Sequence, residues 1–321
     1  MSPMLTRTLR IGTRGSRLSL RQTQIFVDAL WAHRPGVAVE TVVVHSAGDR
    51  APDVPLEQLE GIGFFAKELE TAVAEGRCDV AVHSAKDLPT TLHAALRLGA
   101  VLSRADPRDV LVSRGNLPLA DLPFGARVAT SSVRRAAQLR ARRPDLVIVS
   151  IRGNLDTRLA KLDRGDADAL CIAAAGLVRM GWEDRVAEWL EPEVMLPAPA
   201  QGALAVEARR DDGAVLDLLR LVDDPATHEA VTAERAFVGR LGSGCRAPAG
   251  ALATVDRGRV ALEGLLASED GRIVRRHRAT APVGAARWLG CCVADRVYAD
   301  AGEITGETPV PAVREPVRRA P

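Results

Sequence analysis

Residues 127–181 read RVATSSVRRAAQLRARRPDLVIVSIRGNLDTRLAKLDRGDADALCIAAAGLVRMG, and their rhythm decides the fold. RVATSS is a short apolar run that ends in hydroxyls, and VRRAAQLRARRP keeps a helical period up to its proline. DLVIVSIR is a second strand, NLDTRLAKLDRGD a second helix, and ADALCIAAAGLVRMG a third strand leading into a turn. Strand, helix, strand, helix, strand at this spacing needs crossover connections. The expectation is therefore a parallel or mixed sheet covered by helices.

The same rhythm runs upstream. Residues 9–11 open a strand that ends at GTRGS, and LSLRQTQIFVDALWAHRPG follows as an amphipathic helix with Leu20, Ile25, Val27, Leu30 and Trp31 as its apolar stripe. VAVETVVVHS is a strand and FFAKELETAVAEGR a helix. CDVAVHSAKDLP is a buried-type strand broken by Lys86, Asp87 and Pro89. Two similar α/β units result, residues 1–103 and 108–197. LPAPAQGALAVEARR then reads as a hinge and a return crossing. From residue 225 the character changes: a helix, HEAVTAERAFVGRL, runs into the loop GSGCRAPAG. Three strands joined by DRGR and EDGR hairpin turns follow, and the helix GAARWLGCCVADRVYAD closes a small α+β unit over 225–305. The tail at 306–321, GETPVPAVREPVRRAP, buries little and is expected to be disordered.

Composition narrows the function. A chain of 321 residues that is 47% hydrophobic holds two or three cores, and a net charge of +2 gives no field for wholesale nucleic-acid binding. The first residues lack an apolar signal segment and no stretch has membrane-span length, so a soluble cytoplasmic protein, active without membrane or nucleic acid, is expected. Arginine supplies the basic residues except for Lys67, Lys86 and Lys161. Genomic bias explains that skew, and bidentate carboxylate recognition exploits it. The five cysteines show no zinc spacing, so no metal is expected. Cys78, Cys171, Cys291 and Cys292 lie in apolar runs as small core residues.

Ligands of open α/β sheets sit at the carboxyl ends of strands. There the chain places Thr13, Arg14 and Ser16; His83, Ser84, Lys86 and Asp87; Thr130, Ser131, Ser132, Arg134 and Arg135; Arg152, Asn154 and Arg158; and Arg179. Solvated loops with capping hydroxyls account for any one of these. Together they hold seven cations and one carboxylate, a balance suited to a polyanion. Asp87 either pairs with Lys86 or stabilises positive charge on a substrate nitrogen. Cys245, between Gly242, Gly244 and Gly250, is either an incidental loop cysteine or a thiol exposed for attachment, with Arg246 favouring the thiolate.

GTRGSRLSL, VHSAKDLPT, DPRDVLVS, ATSSVRRAAQL, IRGNLDTRLAKLD, AAAGLVRMG, LPAPAQGALAVEAR, TAERAF and LGSGCRAPAG occur in this order. Together they resemble the hydroxymethylbilane synthase (porphobilinogen deaminase) family over residues 9–300. The resemblance implies two periplasmic-binding-protein-like α/β lobes with mixed sheets and a small α+β C-terminal domain. The first lobe would combine 1–103 with 203–222. It implies a cytoplasmic monomeric transferase of haem and porphyrin synthesis that condenses four porphobilinogen molecules, with loss of ammonia, into a linear hydroxymethylbilane. A dipyrromethane cofactor would be held through a thioether on Cys245, contacted by Ser84, Lys86, Ser132, Arg134, Arg135 and Arg158. Substrate would meet Arg14, Ser16, Arg152, Arg179 and Gln201, and Asp87 would stabilise the cationic azafulvene-type intermediates. Two departures stand out: Ile62 occupies a place where the family often has lysine, and Ala47 one where it often has Lys or Arg. A two-lobed carboxylate-binding module and a paralogue with altered activity are the alternative readings.

Overall fold

The computed structural model describes residues 7–44, 66–242 and 247–299. Cys245, Ala47, Ile62 and the tail at 306–321 lie outside them.

Chain order is β1 (Leu9–Thr13), α1 (Arg17–His33), β2 (Val39–Val43), α2 (Lys67–Ala74), β3 (Val80–Ser84) and β4 (Leu96–Val101). The second unit holds β5 (Asp109–Ser113), β6 (Arg127–Ala129), α3 (Val133–Arg142), β7 (Val147–Val149), α4 (Leu155–Asp163), β8 (Ala169–Ala173), α5 (Ala174–Met180) and β9 (Glu188–Leu190). There follow β10 (Leu204–Arg209), α6 (Gly213–Leu219), α7 (Pro225–Leu241), β11 (Ala249–Asp256), β12 (Arg259–Ala267), β13 (Val274–Pro282) and α8 (Ala286–Ala299).

The first sheet has the order β2-β1-β3-β10-β4 and the second β7-β6-β8-β5-β9. In each, the first three strands of that order are parallel, and the fourth runs antiparallel to both its neighbours. That fourth strand is β10 in one lobe and β5 in the other, and each is the first strand after the chain crosses between lobes. Both crossings therefore enter the middle of a sheet, not its edge. The crossings touch: Ala105 N donates to Gly202 O at 3.1 Å. Gly202 sits at φ +89°, and a Cβ there would come within 2.4 Å of Ala105 O, so only glycine permits the approach.

The third sheet, β11-β12-β13, is an antiparallel meander. One face buries Leu262 with Phe237 of α7 and Val293 of α8. Leu265 and Ala267 instead meet Ala137 and Leu196 of the second lobe. Val231 of α7 joins Ala85, Leu88 and Ala203 of the first. The small domain is thus wedged against both lobes.

Several expectations are corrected. Residues 174–180 form a helix, not a turn, because Ala174, Leu177 and Met180 favour helix and Gly181 ends it at φ +68°. On α1 the buried stripe is Thr23, Phe26, Val27 and Leu30, whereas Leu20 and Trp31 are exposed. The indole of Trp31 donates to Val37 O at 2.9 Å, a polar use for a ring read as core. β4, β5, β9 and α6 were not anticipated. Arg97 and Gly99 interrupt the apolar run of β4, and β9 has only three residues. Cys78 and Cys171 are buried as expected, but Cys291 and Cys292 are half-buried on α8.

Candidate active site

Two cavities of about 240 and 310 Å³ adjoin in the cleft between the lobes, the smaller also bounded by the third domain, and Lys86, Asp87 and Arg135 line both. The three residues form the wall between them. β3 delivers two of them: the strand leaves its sheet at Ser84, and a single 3-10 turn, Ala85–Asp87, projects the next side chains into the cleft. Pro89 stops that turn from continuing, and Arg235 of α7 ties its exit, donating from Nη2 to Pro89 O at 2.6 Å and Thr90 O at 3.3 Å.

Asp87 is exposed and makes no ion pair among the described residues. The Lys86 ammonium donates to Gln201 Oε1 at 3.2 Å, so the expected structural alternative for Asp87, a pair with Lys86, is not the arrangement found. Burial lowers the Lys86 pKa to about 8, and Arg135 adds to the shift while Asp87 and Asp109 oppose it.

Arg134 and Arg135 start α3 and are almost fully buried. Arg134 Nη1 donates to Asp109 Oδ2 and to Leu196 O, both at 2.7 Å. Arg135 Nε donates to Asp109 Oδ1 at 2.9 Å. Gln201 donates from Nε2 to the same oxygen at 2.9 Å and to Pro107 O at 2.8 Å. Burial works against ionising Asp109, but the two guanidiniums override it and hold the carboxyl below its usual range. Asp87 is therefore not the cluster's lone carboxylate, as the strand-end set had suggested.

The remaining residues fall into two groups. Ser132, Arg134 and Gln201 line the smaller cavity, with Arg235 and Ala198. Arg14, Ser16, Ser84, Arg158 and Arg179 line the larger. Arg152 lines neither. Ser16 and Ser132 cap α1 and α3, accepting from Ser19 N at 3.1 Å and Arg135 N at 3.4 Å. Ser84 Oγ accepts from Gln22 at 2.8 Å. Arg158 and Arg179 donate to Gly153 O at 2.8 Å and Gly202 O at 2.6 Å. Burial lowers the pKa of both, that of Arg179 to about 10. Arg134 Nε and Arg152 Nη1 are buried donors with no hydrogen-bond partner. Such orphans are costly, and anionic oxygens satisfy them. Cys245 lies outside the described residues, but Ala247, two positions on, lines the smaller cavity.

Asp109, Gln22, Arg235 and the pair Arg104–Glu234 went unsingled in the sequence. Glu234, fully buried on α7, accepts from Arg104 at 2.6 and 3.0 Å, Ala200 N at 2.5 Å and Ala253 N at 2.6 Å. It joins the first lobe, the hinge and the third domain. A charged residue opening an apolar strand, as in Asp109-Val-Leu-Val, was the one available signal, since buried acids need partners.

Two mixed-sheet lobes, a hinge of two crossings and a cation-rich cleft, in which Asp156 pairs with Arg17 and Asp87 makes no ion pair among the described residues, define an α/β protein whose cleft suits an anionic ligand. A family model described as "Porphobilinogen deaminase, dipyromethane cofactor binding domain" matches residues 9–217, and "Porphobilinogen deaminase, C-terminal domain" matches 228–299. Porphobilinogen deaminase of Roseiflexus sp. is 49% identical over 93% of this chain and 98% of its own, and that of Roseiflexus castenholzii is 50% identical over 92% and 97%. Among solved structures, the VFT2 domain of Bordetella pertussis BvgS is similar at a TM-score of 0.41 and 18% identity, over 67% of this chain and 86% of that one. The chain belongs to the porphobilinogen deaminase family.

Proposed function

We propose a division of labour among this chain's residues for the reaction of its family. That reaction is the head-to-tail condensation of four porphobilinogen molecules, with release of ammonia, into linear hydroxymethylbilane. It is a transferase step of porphyrin and haem synthesis. The observation that carries the proposal is the Lys86–Asp87–Arg135 wall shared by the two cavities.

Porphobilinogen carries two carboxylates, so a growing chain brings a dense set of anions into one cleft. Arg14, Arg158 and Arg179 would bind them on the larger-cavity side, Arg134, Arg135 and Lys86 on the smaller. Arg152, whose buried Nη1 lacks a partner, would join as the chain fills the cleft. Loss of ammonia leaves positive charge on a pyrrole, and Asp87, exposed at the shared wall, is placed to stabilise it. Ser16, Ser84, Ser132 and Gln201 would supply neutral hydrogen bonds.

The dipyrromethane group of the family fits the smaller cavity. It brings carboxylates to a place with an orphaned Arg134 Nε and an excess of cations, and Ala247 and Ala249, close to Cys245 in sequence, line that cavity. Cys245 would hold it, with Lys86, Ser132, Arg134 and Arg135 around it; when bound, it supplies the nucleophilic pyrrole carbon from which the chain grows.

We take the domains as 1–103 with 203–222, 108–197 and 225–305, a division supported by the three separate sheets. We also take the protein as a cytoplasmic monomer that needs neither membrane nor nucleic acid. The small net charge and a cleft assembled within one chain support this, and no helix among the described residues is long and apolar enough to cross a membrane.

If the arginines neutralise substrate carboxylates, replacing each of Arg14, Arg152, Arg158 and Arg179 by Leu should stall growth at a characteristic stage. Mass spectra of protein incubated with limiting porphobilinogen read the stage. Uniform loss of stability without stage-specific stalling would refute the assignment.

A further inference from the structure

Asp109 is fully buried and lines neither cavity, yet three cations that wall the smaller one depend on it. Its two oxygens are shared out: Oδ2 takes Arg134 at 2.7 Å, and Oδ1 takes Arg135 and Gln201, each at 2.9 Å. The Gln201 amide carries the effect further. With Nε2 committed to the carboxylate and to Pro107 O, flipping the amide would set oxygen against oxygen. Oε1 must therefore face the cleft, where it accepts from Lys86 at 3.2 Å and Arg135 at 3.4 Å.

We propose that Asp109 is a positioning residue for the condensation: it fixes the Arg134 and Arg135 forks directly and, through Gln201, holds the Lys86 ammonium beside Asp87. The proposal rests on the reaction read above. Asp109 itself touches no substrate. It sets the direction and the charge of groups that do.

The electrostatics follow from the geometry. Lys86 faces Asp87 on its own turn, Arg134 and Arg135 from α3, Asp109 from β5 and the neutral Gln201 from the hinge, while Arg158 faces Arg135 and Asp87 from α4. Burial and Arg135 pull its pKa down, and the two carboxylates hold it up. Without the Asp109 charge, Lys86 loses its proton at lower pH.

Only three lysines occur in the chain, which makes this readable. The full-length protein, purified with its cofactor, is reductively methylated with carbon-13, and the Lys86 resonance is assigned with Lys86→Arg. In Asp109→Asn the Lys86 titration should fall by about one pH unit, as for loss of a nearby opposite charge. The alkaline limb of kcat/KM for porphobilinogen should move down with it. Gln201→Met keeps the Asp109–arginine pairs but removes the relay along with the amide's other hydrogen bonds, so the Lys86 titration should shift the same way by less. Asp109→Glu should recover part of the shift. Should Asp109→Asn fail to fold, Gln201→Met decides alone. An unchanged Lys86 titration in folded variants overturns the proposal. Wild-type protein that consumes no porphobilinogen overturns only the reaction, because the titration still reports the coupling.

Discussion

Asp87 and Asp109 show how one residue type takes opposite tasks from its surroundings. Asp109 opens β5, is sealed from water and spends its charge on two guanidiniums. Asp87 ends a 3-10 turn, stays exposed and keeps its charge available. Replacing Asp87 by Asn preserves shape and removes that charge. Substrate binding should survive while kcat falls by two to three orders of magnitude, the effect of losing an electrostatic stabiliser of about 3–4 kcal/mol. Steady-state rates with an independent binding measurement check this, and a near-normal kcat would assign the role elsewhere. Asp87 was legible because a carboxylate stood out among strand-end cations. Asp109 was not, since a side chain's burial depends on which strands flank it, and β5 is enclosed only once β8 and β9 pair with it.

At the scale of elements, α7 does the most joining. Its N-terminal half packs on the first lobe, its middle presents Glu234 to Arg104 and two backbone amides, and its C-terminus at Leu241 precedes Cys245 by four residues in sequence. Glu234→Ala would strip the half-buried Arg104 guanidinium of its counterion and orphan the amides of Ala200 and Ala253. The loss should be about 3–5 kcal/mol, as when one partner of a buried ion pair is removed. Urea unfolding monitored by circular dichroism measures it, and a loss under 1 kcal/mol would show the pair to be dispensable. The alternation of strands and helices was readable because each element buries one face and repeats its period. The helix at Ala174–Met180 was misread because its small residues carry no clear stripe, and α6 because seven residues are too few for a period.

The whole molecule is held by charges as well as by its cores. Asp79 in the first lobe accepts from Arg10 at 2.8 and 2.9 Å, while Asp109 serves the opposite lobe. Burial alone would raise both carboxyl pKa values, but their arginines bring them below the usual range. A depressed folded-state pKa gives stability that is fully present above the unfolded value, about 3.9, and is lost as pH falls through the folded one. The melting temperature should therefore hold between about pH 7 and 5 and drop steeply below about 4. A flat profile to pH 3 would contradict the pairing. The two-lobed plan could be read from the repeated rhythm, whereas the wedging of the third domain against both lobes depends on contacts between segments far apart in sequence.

On the proposed reading the chain grows its pyrrole product from a group held on Cys245. The intact mass of the purified full-length protein, made in cells with normal porphobilinogen supply, tests it most directly. The mass should exceed that of the polypeptide by two pyrrole units, and the excess should disappear, together with activity, in Cys245→Ala. An unmodified wild-type mass accompanied by full activity would contradict it.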